Sequence, residues 1–316
     1  SQHAVAAATG GRMSAFTGVD LSQLPPPDVI EQLDFETILA IVLADLQGVF
    51  PEFDALVESD PAYKIAEVLA YRELHLRQRI NESSLATMLA FAANADLDHI
   101  GARYNVERLV VDPGDASAIP PVPATYEPDA DFRRRIQLSF EAFTTAGSTG
   151  SYIYHALSAS GQVRDASATS PAPTQVTVYV LSRTADGAAD EFLLADVLAA
   201  LNAEQVRPMT DLVNVLSASI VEYQIEAELT PYPGPDAGLV VAAAHAALQT
   251  YVDSVHRLGY DVTLSGVLAA LHKPGAQRVR LIGATPAADA EGRLLAISDA
   301  EAAYCTAINI TLAEVP

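Results

Sequence analysis

Forty carboxylates, seven histidines, a single cysteine and one glycine-serine loop are the groups in this 316-residue chain that could carry chemistry. Their spacing argues against it. His245 and His256 fall on one predicted helix, where eleven residues of rise separate them by roughly 16 Å, too far to share an ion. His75, His99, His155 and His272 stand alone, with no His-Glu-x-x-His arrangement among them. Asp96 and Asp98, and Asp112 and Asp115, sit at predicted turns, where aspartate is expected for its local hydrogen bonds. Asp289-Ala290-Glu291-Gly292 lacks the length and ligand pattern of a calcium loop. Gly147-Ser148-Thr149-Gly150-Ser151 precedes a helix and could cradle an anion on free amides, but it has no P-loop lysine, so an ordinary capped helix start is expected. Cys305 lies in a predicted strand as a buried, inert thiol, and one cysteine excludes an internal disulfide. No catalytic residue, cofactor or metal site is assigned.

The cationic side is sparse. Acids outnumber bases 40 to 18, for a net charge of −22, a field that repels phosphate backbones and anionic lipid and makes nucleic acid and membrane unsuited as partners. The one basic cluster is Arg133-Arg134-Arg135. On a helix these three fan around the circumference, so they cannot all serve one pocket, and pairing with carboxylates of this chain or a neighbour is expected. Arg207, before Pro208, fits a bidentate carboxylate contact of the same kind. These four are candidate salt-bridge or interface residues.

The elements that must position these groups are mixed. Residues 1–20 are small and polar, without an apolar signal core, and read as a flexible N-terminus. Asp28, after three prolines, is placed to cap a helix from Val29 to about Leu46 or Phe50. Along it Phe35, Leu39, Val42, Leu46, Val49 and Phe53 recur at spacings of four and three, a heptad-like seam that calls for partner helices. A second helix is expected from Pro61 to about Ala93, with Ile65, Leu69, Leu76, Ile80, Leu85 and Met88 buried. Such a pair is thin alone and would complete its core against other subunits. Residues 112–146 read as a proline-rich linker and a third helix carrying Phe132, Ile136 and Phe140. Strands and helices then alternate through 147–230 and 231–316. Val221, Tyr223, Ile225, Ala227 and Leu229 share one face of a period-two strand. The fold class is α+β: a long N-terminal helical hairpin over 21–111 contributing to an intersubunit bundle, then two small α/β domains in series.

The order of elements from Tyr126 to Gly161 is distinctive. An acidic helix start (Glu127, Pro128, Asp129) leads to Asp131-Phe132-Arg133-Arg134-Arg135-Ile136, and a Ser/Thr/Gly break (Thr144 to Ser151) opens a second helix. Gly161-Gln162-Val163-Arg164-Asp165, the strand Gln175 to Leu181, and Val206-Arg207-Pro208-Met209-Thr210-Asp211 follow. From about Leu33 onward this resembles the baseplate J-like proteins of contractile phage tails. The resemblance implies a structural wedge protein rather than an enzyme. Its N-terminal helices would join those of a second copy and of a different, baseplate I-like wedge protein in a three-chain bundle, with Phe35, Leu39, Val42, Leu46, Val49 and Phe53 as bundle residues. It further implies contacts with a small wedge protein of the sheath-initiator type, with neighbouring wedges and with the central hub and spike. The expected location is the virion tail baseplate, assembled in the bacterial host cytoplasm. Rearrangement of the ring would let the sheath contract, with Asp112 to Pro123 and Thr230 to Pro235 as hinge candidates. A headless tail-like particle or a related injection system would use the same kind of protein. The rival reading is a soluble hydrolase using carboxylates in an inter-domain cleft, which predicts a compact monomer.

Overall fold

The computed structural model describes residues 21, 24–52, 57–144, 147–234, 236–285, 289 and 291–313. It is mixed α and β, with helices and several small sheets. The chain divides into two compact units, one of residues 19–107 and one whose described part begins at Arg108. Among the described residues no helix is long and apolar enough to cross a membrane.

Among the described residues, the first unit holds three α-helices: α1 (Phe35–Val49), α2 (Pro61–Ala86) and α3 (Asn94–Arg103). Helix α1 starts six residues later than Asp28 predicts. Its cap is Asp34, whose carboxylate accepts from both the amide and the hydroxyl of Thr37, at 2.8 and 2.7 Å. A carboxylate followed at the third position by a hydroxyl satisfies a free first-turn amide, whereas Asp28 lies in a separate turn in which the Ile30 amide donates to the Pro27 carbonyl at 3.0 Å. Asp60 caps α2, with Pro61 at the first helical position, where its missing N–H costs nothing. Ile38 and Leu39 of α1 pack on Ala66 and Ala70 of α2, flanked by Phe35, Val42, Leu43, Leu46, Tyr63 and Leu74. The chain entering α1 is tied to the far part of α2. Buried Asn81 accepts from the Glu31 amide at 3.2 Å and donates to the Glu31 carbonyl at 2.9 Å.

The second unit opens with the short antiparallel pair β1 (Val110–Asp112) and β2 (Thr125–Tyr126). Helix α4 (Asp129–Leu138) follows, then a 3-10 turn over Ser139–Phe143, and α5 (Thr149–Ala159). Strands β3 (Val163–Ala172) and β4 (Gln175–Ser182) form a hairpin, and helix α6 (Glu191–Leu201) crosses over to β5 (Leu212–Ser217), which lies parallel to β4. Alternate residues Val178 and Val180 of β4 are fully buried against Tyr152, Ala156, Val197 and Leu201 of the two helices.

Strand β6 (Ser219–Pro231) begins the next sheet and is its middle strand, parallel to β10 (Glu301–Leu312) and antiparallel to β8 (Ala276–Thr285). Helices α7 (Ala237–Val255) and α8 (Leu264–Leu271) cover one face, and β7 (Val262–Thr263) pairs with β9 (Arg293–Leu295) beside them. Tyr223, Ile225, Ala227 and Leu229 of β6 face this core, while Glu222, Gln224 and Glu226 face outward. That alternation is what a sheet covered on one side requires. Each fully buried side chain of this size contributes about 1.5–3 kcal/mol of transfer free energy.

Candidate assembly surfaces

The predicted seam divides. Leu39 is buried, and Phe35, Val42 and Leu46 are half-buried in the small core between α1 and α2, while Val49 is 72% exposed. Phe53 lies outside the described residues. The inner face of α2 corrects the sequence expectation, because Ile65, Leu69, Leu76 and Ile80 do not line it. Ala66 and Ala70 do, since small side chains let α1 approach closely, whereas a stripe of large residues would hold it off. The large residues turn outward: Ile65 is 64% exposed, Leu76 66% and Ile80 61%, with Val68, Leu69 and Tyr71 beside them. Spacings of four, seven and four put Ile65, Leu69, Leu76 and Ile80 on one continuous stripe. The exposed apolar residues are therefore contiguous on one side of the helix rather than scattered singly.

The basic cluster sits on α4 and its side chains go to different places. Arg135 is buried and pairs with buried Glu127, its Nε 3.1 Å from Oε2. Glu127 also accepts from the Leu109 amide, and the Arg108 guanidinium donates to the Glu127 carbonyl and pairs with Asp129 at 2.7 Å. The guanidinium carbons of Arg108 and Arg135 are 4.7 and 5.7 Å from the ring centre of Phe132. Arg134 pairs with Asp165 at 2.7 Å. Arg133 is half-buried, and Arg207 is exposed at the turn after α6. Arg134 and Arg135 therefore fasten the unit internally.

Asp165 and Glu127 are the residues that sequence reading left unassigned. Asp165 is buried in β3 and takes donors from three directions: Arg134, its neighbour Ala166 at 2.9 Å, and the Leu258 amide at 3.1 Å, beyond α7. It joins α4, the central sheet and the C-terminal layer at one carboxylate. Leu181 and Ala218 pack against Leu258 and Ala302 at the same joint. An aspartate inside a strand is disfavoured unless its oxygens are satisfied, and that was the available signal.

The glycine-serine loop already holds an anion. Ser148 caps α5, accepting from the Ser151 amide at 3.2 Å and donating to Glu141 Oε2 at 3.0 Å. A Cβ at Gly150 would lie 2.7 Å from Glu141 Cγ, so the glycine is what lets this carboxylate reach the helix start. Gly161 has a similar reason, since a side chain there would run into the Val110 carbonyl. Among the described residues no group of three histidine, cysteine or acidic side chains converges as metal ligands. Burial holds the pKa of both His155 and His256 below the ordinary imidazole value and raises that of Cys305.

Residues 58–115 match the profile of the Baseplate J-like N-terminal domain, and residues 144–217 that of the Baseplate J-like central domain. The chain is also 50% identical over 299 residues to "Baseplate protein J" of Escherichia phage P2, covering 92% of this chain and 97% of that protein. The chain belongs to the baseplate J-like family. In this baseplate J-like chain, the first matched segment contains α2 with its outward stripe, and the second contains α5, β3, β4, α6 and β5. The family domains thus coincide with a helix whose apolar face is uncovered and with the α/β layer anchored by Asp165.

Proposed function

We propose that this chain is a structural baseplate wedge protein of a contractile tail. In this reading α1 and α2 act as a helical hairpin that joins a second copy of itself and a baseplate I-like wedge protein in a three-chain bundle. Residues 108–316 provide two α/β layers in series, with β6 counted in the second, that meet neighbouring wedges, a sheath-initiator-type wedge protein and the central hub and spike. The assembled ring sits in the virion tail baseplate after assembly in the host cytoplasm, and its rearrangement releases sheath contraction. Segment 112–123 is the proposed hinge; of the second candidate, 230–235, Thr230 and Pro231 are paired with β8 as part of β6, and Pro235 lies outside the described residues.

The observation that carries this reading is the outward stripe of α2, a row of large apolar side chains left in water beside an alanine-lined inner face. Relatedness to a protein named for the baseplate supports the setting. The bundle face is accordingly assigned to Ile65, Leu69, Leu76, Ile80 and Val49, with Phe35, Leu39, Val42 and Leu46 holding α1 against α2 behind it.

Light scattering decides the matter. Co-expressed with the second wedge protein, the chain is expected to purify as a complex of two copies with one of the partner. A compact monomer indifferent to that partner would overturn the proposal.

A further inference from the structure

A small notch in the second unit lies among α4, α5, β3 and the residues that follow β4. Four guanidiniums, of Arg134, Arg135, Arg164 and Arg183, line it against two carboxylates, Glu127 and Asp131. This is a local excess of positive charge in a chain of net charge −22. Three of the four have a carboxylate in contact: Arg134 has Asp165, Arg135 has Glu127, and Arg183 has Asp131 at 2.6 Å. Arg164 has a carbonyl instead. Its Nη2 donates to the Asp253 oxygen at 2.8 Å, in the last turn of α7. Burial draws its pKa below the ordinary guanidinium value, with Arg183 and Arg257 adding to that effect and Asp131 and Asp253 opposing it. It remains charged at any working pH, and among the described residues one of its five N–H donors is used. A half-buried cation in this state gains from an incoming anion what it lost in hydration.

We propose that the notch receives one carboxylate oxygen from an acidic side chain of a neighbouring protein, with Arg164 as its principal donor. The open space is about that of one water molecule, which admits a single oxygen and not a phosphate group. The partner half of the proposal rests on the wedge reading above; the carboxylate-binding half does not.

Acetate is the probe. In spectra of the arginine Nε–Hε groups of the full chain, acetate is expected to shift Arg164 and Arg183 saturably while exposed Arg79 stays in place. Because the signal can be assigned through the backbone of β3, the titration stands even if Arg164→Gln folds poorly. Uniform shifts of all arginines, or an equal response to chloride at the same concentration, would overturn the assignment. In the co-expressed complex, Arg164→Gln is expected to weaken association on the order of thirtyfold or more, as loss of a desolvated charge contact does. Acetate binding with association unchanged would refute the docking role while leaving the wedge reading intact.

Discussion

Tyr223 carries a hydroxyl in the core under β6 that finds no hydrogen-bond partner among the described residues, and burial raises its pKa. An unmet buried donor costs about 1–3 kcal/mol, so Tyr223→Phe is expected to raise stability by about 1 kcal/mol in urea unfolding. The Glu127–Arg135 pair is the opposite case. Both members are buried, and Glu127→Ala removes the carboxylate paired with the Arg135 guanidinium. The expected loss is about 3–5 kcal/mol, read as a fall in the denaturation midpoint of the second unit. His256 sets a pH dependence. Its Nδ1 lies 2.6 Å from the Ala303 carbonyl, to which the neutral ring donates, and burial holds its folded pKa below 6.5. Between the folded and unfolded values the unfolded chain binds more protons. The stability from His256 is therefore full above about pH 6.5 and is lost as pH falls through the folded pKa. Melting temperature should drop on acidification through that window, and His256→Gln, whose amide can donate to the same carbonyl, should flatten the drop.

Elements follow their own periodicities more faithfully than their partners can be foreseen. The period-two pattern of β6 placed Tyr223, Ile225, Ala227 and Leu229 on the core face, because one covered face leaves an unambiguous alternation. The break at Gly147 to Ser151 marked the start of α5, because capping is local. Helix α2 was different. With apolar residues around much of its circumference, size pointed to Ile65 and Leu76 as the inner residues, yet close approach of α1 selected Ala66 and Ala70. A choice between faces depends on a neighbour's shape, which periodicity does not encode. Asn81 was hidden for the same reason, since its contacts are to backbone fifty residues away. The division of faces is testable. Leu69→Asp and Leu76→Asp together should leave the lone chain's stability within about 0.5 kcal/mol of wild type, as exposed substitutions do, and abolish the co-expressed complex. Leu39→Asp should instead unfold the α1–α2 pair, visible as lost helical signal.

On the scale of the whole molecule, the chain divides into two compact units. A fragment of residues 108–316 is expected to melt cooperatively without residues 19–107, and a broad, non-cooperative transition would show that the second unit depends on the first. Within that unit, the shared carboxylate of Asp165 and the apolar joint of Leu181, Ala218, Leu258 and Ala302 tie the two sheets together.

The parallel pairing of β6 with β10 also sets an order of events during synthesis. Ser219 waits for Glu301 and Leu229 for Leu312, so when β6 leaves the ribosome its partner along one entire edge has yet to be translated. Until then that edge is an open template for any other strand. Nascent chains halted between α8 and β10 are therefore the ones a chaperone would be called on to shield, and a premature stop there should yield insoluble protein even though both helices that cover the sheet have already been made.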